Sequence, residues 1–212
     1  MDTIGIPTLR QRVFAWGLAR FSKRYEQFAV KYKEKLFADL SGVVLEIGPG
    51  TGANLRYFAR AGIRWTGVEP NRFMEPYLEN EAQRLGMQID LRTGLAHHLP
   101  VEDNSVDAVV GTLVLCCVRD PQLCLKEVIR VLKPGGRFLF IEHVAAPRGT
   151  WLRFLQGCIK PIWSQMGDGC HPDRETWLTL EAAGFDRLTY ERVVAPSLIA
   201  SPQIVGVGVK TT

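Results

Sequence analysis

From Leu9 to Leu40 the apolar side chains Val13, Phe14, Leu18, Phe21, Tyr25, Phe28, Tyr32 and Leu36 recur every three or four residues, with Arg12, Arg20, Lys23, Arg24, Lys31, Lys33 and Lys35 between them. A period near 3.6 sorts the two classes onto opposite faces of a helix, so the segment predicts a basic, amphipathic helical head. Gly17 weakens the helix locally, which gives two helices or one long imperfect one, and Ser41-Gly42 ends it.

Beyond Gly42 the period changes. Short β-rich runs predict strands at Val43–Ile47, Trp65–Glu69, Gln88–Arg92, Val106–Thr112 and Arg137–Glu142, with helices at Ala53–Ala61, at Phe73–Leu85 and from Pro121 to Leu132 among them. Asp120 and Pro121 suit an N-cap and a first helical residue, and Lys133-Pro134-Gly135-Gly136 stops that helix. Strands alternating with helices predict a parallel sheet with helices on both faces. The rhythm then breaks. Trp151, Phe154, Leu155, Ile159 and Trp163 recur at helical spacing, which predicts an inserted helix over Thr150–Met166, and Gly167-Asp168-Gly169-Cys170-His171-Pro172 reads as a loop. A capped helix at Asp173–Ala183 follows, and the runs Leu188–Val194 and Gln203–Val209 are expected to pair as an antiparallel hairpin. The expected architecture is α/β, a Rossmann-like seven-stranded sheet over residues 41–212 with an N-terminal helical cap over 1–40 and an inserted cap helix near 150–171.

Composition narrows the class. With 46% apolar and 23% charged residues the chain reads as an ordinary globular domain. No apolar run reaches the roughly 18–20 residues that span a bilayer, and no secretory leader is evident, so the expected address is the cytoplasm. The five cysteines, Cys116, Cys117, Cys124, Cys158 and Cys170, show no C-x-x-C pair, which argues against a disulfide framework or a structural zinc site and predicts reduced, mostly buried thiols. The adjacent pair His97-His98 points apart and predicts no metal site. Of the net charge of +4, residues 1–40 supply eight bases against four acids, and the rest balances at eighteen of each. The basic head reads as a solvated helix covering a cleft, with peripheral contact to an anionic membrane as its second use. Nucleic acid is not expected as a partner, and no obligate protein partner is inferred.

The chemistry concentrates at strand ends. Val44-Leu45-Glu46-Ile47-Gly48-Pro49-Gly50-Thr51-Gly52 drives an apolar strand into a glycine-rich turn, where the backbone can approach a ligand without a Cβ in the way. Glu46 before the turn would repel a pyrophosphate and suits a ligand carrying an ammonium group. Seventeen residues past Gly52, Glu69-Pro70-Asn71 places an acid at the tip of the second strand, where it can accept bonds from both ribose hydroxyls.

These residues resemble motif I and its successor in class I methyltransferases, and Gly94-Leu95-Ala96-His97-His98-Leu99-Pro100 with Asp103-Asn104-Ser105-Val106-Asp107 is similar to their third signature. That family commonly places acids where this chain has Leu95 and His97, which leaves the adenine to backbone and apolar contacts. Glu127 through Gly136 resembles the family's structural helix-to-strand signature. Thr112-Leu113-Val114-Leu115-Cys116, Glu142-His143-Val144-Ala145, Gly167-Asp168-Gly169-Cys170 and Arg174-Glu175-Thr176-Trp177 resemble, more closely, the alkyl thiol methyltransferase family, over about Tyr25 to Lys210. The apolar N-terminal membrane leader of its animal members is not part of the resemblance, and membrane residence is not carried over.

The resemblance implies S-adenosyl-L-methionine as cofactor, S-adenosyl-L-homocysteine as product and a small lipophilic acceptor, a thiol first. It implies a cofactor site of Glu46, Gly48, Pro49, Gly50, Thr51, Gly52, Asn54, Glu69, Pro70, Asn71, Gly94, Leu95, Ala96, Thr112 and Leu113. Methyl transfer from a sulfonium needs mainly an aligned nucleophile. His143, just past a central strand, and Asp168 are the expected catalytic residues, with His171 as a further candidate base. Cys116 and Cys117 are expected to pack beside the cleft, and Trp151, Phe154, Trp163 and Trp177 are core or acceptor-lining residues. Two alternatives stay open: methylation of a phospholipid amine or quinone at a membrane face, and a cofactor-binding module without catalysis.

Overall fold

The computed structural model describes residues 8–211. Residues 1–7 of the head lie outside that range. Two helices, α1 (Leu9–Phe21) and α2 (Lys23–Phe37), precede the sheet. Among the described residues the strands are β1 (Gly42–Ile47), β2 (Ile63–Val68), β3 (Asp90–Arg92), β4 (Val106–Thr112), β5 (Leu132–His143), β6 (Arg187–Val194) and β7 (Pro202–Val209). Between them run α3 (Leu55–Phe58), α4 (Glu75–Arg84), α5 (Pro121–Val131), α6 (Trp151–Met166) and α7 (Thr176–Glu181). The strand order is β3-β2-β1-β4-β5-β7-β6, parallel through β5, with β7 antiparallel to both β5 and β6. The predicted hairpin forms, and its second strand fills the slot beside β5.

The order reverses between β1 and β4, so the loops leaving their carboxyl ends diverge and open a crevice, the place where open α/β sheets bind ligands. Burial on both faces holds the central strands. Along β4, Ala108 and Val110 pack with Phe37, Phe58, Trp65 and Leu78 on one face, and Val109 packs with Leu125, Val128, Phe138 and Phe140 on the other. Alternation of period two thus feeds two cores, and each large side chain fully buried there contributes about 1.5–3 kcal/mol. Asp120 caps α5 as its sequence position predicts, accepting from the N–H groups of Gln122 and Leu123.

Several details differ from the sequence reading. β5 begins at Leu132, directly after α5, so Lys133-Pro134-Gly135-Gly136 lies within the strand and does not separate helix from strand. The head breaks at Ser22, whose N–H bonds the Leu18 carbonyl, and Gly17 stays inside α1, where a glycine costs only about 1 kcal/mol. The helix expected over Ala53–Ala61 shrinks to the single turn of α3, because residues 51–54 are spent on the glycine-rich turn and Ala59 leaves helical backbone. α7 starts at Thr176 because Asp173 and Arg174 are committed elsewhere, the first to Lys160 and the second to the carbonyls of Leu115 and Val118. Lys33, placed by periodicity among the solvated bases, is fully buried, with Nζ 2.7 Å from Glu26 Oε2. Burial lowers its pKa, against the pull of Glu26 and Glu46.

Candidate functional site

At the first end of the crevice, β1 delivers Glu46 and Ile47 into the glycine-rich loop. Gly48, Gly50 and Gly52 hold φ of +62°, +55° and +84°, backbone that only glycine adopts without penalty. A Cβ on Gly48 would sit 2.9 Å from Val114 Cγ2, so conformation and space agree. Pro49 closes the turn by accepting the Gly52 N–H at 3.0 Å. Thr51 is half-buried in that loop, and Pro70 likewise between Glu69 and Asn71. Glu69 ties loop to strand tip: Oε2 accepts the Gly50 N–H at 3.0 Å and Oε1 accepts the Asn71 N–H at 2.9 Å. Burial pushes its pKa up to about 7.

Glu46 lies deeper. It is fully buried, accepts from Asn54 Nδ2 at 2.7 Å and Trp65 Nε1 at 2.9 Å, and burial raises its pKa to about 7. Asn54 Nδ2 also donates to Thr112 Oγ1 at 3.1 Å, which joins the ends of β1 and β4. Asn54 Oδ1 is buried without a partner, an acceptor left over at the crevice floor. Leu113 follows at φ +58°, a strained setting for a bulky residue, with its N–H on the Ile141 carbonyl at 2.7 Å. Gly94 packs so closely on Val68 that a Cβ would lie 2.9 Å from it; Ala96 is buried and Leu95 half-buried beside it. α1 roofs this end. Leu18 Cδ2 would stand 3.4 Å from a Cβ on Gly50, and Asn71 Nδ2 donates to the Gln11 carbonyl at 3.2 Å.

The other end is built around β5. Glu142 is fully buried, and its Oε1 accepts the N–H groups of Val114 and Leu115, both at 2.8 Å, while Oε2 accepts that of Cys116 at 3.2 Å. Burial raises its pKa to about 7. Next to it His143, also buried, places Nε2 3.2 Å from Cys170 Sγ, and Trp163 Nε1 approaches the same sulfur at 3.0 Å. Hydrogen bonds from the Cys116 and Cys117 thiols, and then His143, hold the Cys170 thiol below its ordinary pKa. The loop that carries Cys170 is fastened to the loop after β4 by His171 N–H on the Cys116 carbonyl at 2.8 Å and by Arg174 on Leu115 and Val118.

The structure therefore brings the glycines, Glu46, Asn54, Glu69, Asn71 and Thr112 to one end of the crevice and His143 to the other. It parts the two expected catalytic residues. Asp168, at φ +47°, turns to Asn71 Nδ2 at 3.4 Å and to the Arg10 guanidinium at 3.6 Å, and Cys170 takes the place beside His143. Of the four aromatic candidates Trp163 reaches this cluster; Trp151 and Phe154 are exposed, and Trp177 packs on the core beneath the Arg192 guanidinium. Sequence reasoning missed Glu142 and Cys170. The usable signal for Glu142 was an acid closing the apolar run Phe138-Leu139-Phe140-Ile141, since a buried carboxylate must find donors.

Comparison with known proteins agrees with this geometry. Residues 45–140 match the family described as Methyltransferase domain. The chain is 39% identical to the human protein Thiol S-methyltransferase TMT1A over 211 residues, covering 93% of this chain and 86% of that one. It is 40% identical to human Thiol S-methyltransferase TMT1B over 192 residues, 84% and 78% of the two chains. Among solved structures, a SAM dependent methyltransferase from Aquifex aeolicus superposes with a TM-score of 0.65 at 19% identity, covering 93% of this chain and 97% of that one, a likeness of fold alone.

Proposed function

The chain belongs to the thiol S-methyltransferase family and is an S-adenosylmethionine-dependent methyltransferase, and from that premise we propose that it methylates the sulfur of a small lipophilic thiol. The observation that carries the reading is the two-ended crevice. One end offers donors and acceptors suited to a nucleoside and an ammonium group, and at the other a buried imidazole stands against a buried thiol.

The residues present fit the cofactor. Asn54 Oδ1, the orphaned acceptor, and the neighbouring Glu46 would take the ammonium, the Glu69 carboxylate the ribose hydroxyls, and the backbone and apolar side chains at Leu95 and Ala96 the adenine. The bound cofactor supplies an electrophilic methyl group on a sulfonium. The protein's share is alignment and exclusion of water, for which α1 forms the roof and Asp168, between Arg10 and Asn71, is the clasp. We assign His143 to the acceptor sulfur.

No helix among the described residues is long and apolar enough to cross a membrane. α1 nevertheless exposes Leu9, Val13, Trp16 and Phe21 alongside its arginines, which supports peripheral contact with an anionic membrane as a route for lipophilic acceptors. The test is mass-spectrometric product analysis with an alkyl thiol, phosphatidylethanolamine vesicles and a demethylquinone in parallel. Formation of the methyl thioether with stoichiometric S-adenosylhomocysteine is expected. Turnover of the lipid amine or the quinone with none of the thiol would overturn the assignment.

A further inference from the structure

Cys116, His143 and Cys170 come from three separate stretches of chain, the loop after β4, the tip of β5 and the loop after α6. Their ligating atoms nevertheless all lie within 4.8 Å of one another, with Cys170 Sγ and His143 Nε2 only 3.2 Å apart. Among the described residues no other trio of His, Cys, Asp or Glu meets this condition. Zinc bonds of about 2.3 Å to sulfur and 2.0 Å to nitrogen, at tetrahedral angles, put such atoms roughly 3.5–3.8 Å apart. The trio therefore closes on an ion with side-chain shifts of about 1 Å or less.

We propose that Cys116, His143 and Cys170 form a site for one soft divalent cation of the zinc class at the acceptor end of the crevice. Two sulfurs and an imidazole, without a carboxylate, select a thiophilic ion over magnesium or calcium. Three protein ligands are the complement of a site that keeps a fourth position open to a substrate.

The surroundings hold these ligands in place. Glu142 fixes the Cys116 backbone, and the His171 N–H holds the Cys116 carbonyl. Trp163 Nε1 donates to Cys170 Sγ, as outer partners of ligating sulfurs do. Gly169, at φ +94°, lets the loop close where a Cβ would stand 3.0 Å from the Cys117 carbonyl. Cys117 is not one of the three, although it borders them: its sulfur lies 3.6 Å from Cys116 Sγ and 3.4 Å from the Leu113 carbonyl. None of this was visible in cysteine spacing, because the three ligands are joined by folding and not by a local motif.

The proposal rests on the thiol reading and deepens it. The acceptor sulfur takes the fourth position as its S–H bond breaks and the proton leaves to solvent. Its lone pair then forms the new S–CH3 bond while the methyl–sulfonium bond breaks, and neutral S-adenosylhomocysteine and a neutral thioether result. His143 acts in this scheme as a ligand.

The test uses the whole protein, purified under reducing conditions, stripped with a chelator and titrated with cobalt(II). Uptake of one cobalt per chain is expected, with a thiolate-to-metal charge-transfer band that zinc(II) abolishes. Cys116→Ser and Cys170→Ser should weaken uptake by more than the roughly 10–100-fold typical of losing an outer-shell partner, and Cys158→Ser, an exposed cysteine outside the cluster, should not change it. Calorimetric S-adenosylmethionine binding by each variant verifies folding. Absence of the band in the wild type, its survival in both serine variants, or a Cys116–Cys170 disulfide that persists through purification under reducing conditions would overturn the site. Cobalt uptake without thiol turnover would keep the site and sink the thiol reading. Thiol turnover without cobalt uptake would do the reverse.

Discussion

Glu69 and Glu142 do similar local work at opposite ends of one crevice: each is a buried carboxylate at the tip of a parallel strand that accepts loop N–H groups, Glu69 one from the loop after β1 and one from its own loop, Glu142 three from the loop after β4. What they hold differs. The loop under Glu69 gets its shape from glycines at positive φ, so the carboxylate trims a conformation the backbone already prefers and keeps lone pairs for a ligand. The loop under Glu142 contains no glycine, begins with Leu113 in left-handed backbone and directs three consecutive N–H groups at one side chain. There the carboxylate imposes the shape. The end with the glycine-rich turn is thus organised by its own chain, and the end at β5 by a contact 26 to 28 residues away.

The comparison can be broken by mutation. Glu142→Ala leaves three buried N–H groups without an acceptor and should cost about 4 kcal/mol of stability, read as a fall in Tm of roughly 8–16 °C. Glu69→Ala exposes its two N–H partners to a ligand-facing cleft. It should lower Tm much less and weaken S-adenosylmethionine binding by roughly 50-fold, measured by calorimetry, as expected for charge-assisted bonds worth about 1.5–3 kcal/mol. Equal losses of Tm in the two variants would show that both ends are imposed from outside.

The acids also set a pH dependence. Glu46, Glu69 and Glu142 all have folded pKa values raised by burial from 4.5 to about 7. Between those values the folded state binds more protons than the unfolded state, so their contribution to stability is fully present below pH 4.5 and is lost as pH rises through 7. Replacing Glu69 by Gln should therefore flatten the decline of unfolding free energy between pH 5 and pH 8 by about 1–2 kcal/mol, measured by denaturant titration at each pH. A slope unchanged in Glu69→Gln would mean that this carboxylate stays ionised in the fold.

The smallest effect is expected at Lys33. Its buried ammonium costs desolvation that the bond to partly exposed Glu26 only offsets, so Lys33→Met should change stability by less than about 1 kcal/mol in either direction. A loss above about 3 kcal/mol would instead tie Lys33 to Glu46 as a needed counter-charge beneath the glycine-rich turn.

The head shows where periodicity reaches its limit. It located both helices, yet it put Lys33 in solvent, since a pattern of polar and apolar positions carries no information on whether a buried partner awaits a given lysine. Likewise the loop 167–172 was legible as a loop, but not which of Asp168 and Cys170 would face His143. That depends on the left-handed backbone at Asp168 and Gly169 and on Arg174 reaching back to Leu115.

The sequence by itself determined the alternating α/β order, the glycine-rich turn and the acid at the tip of β2, because backbone freedom and side-chain periodicity are properties of neighbouring residues. Only the tertiary structure decided the end of the crevice at β5. Cys116, His143 and Cys170 meet there because β4 and β5 lie side by side and the α6 loop folds back over them. Packing of elements far apart in the chain sets such proximity, and no residue in any one of the three stretches encodes it alone.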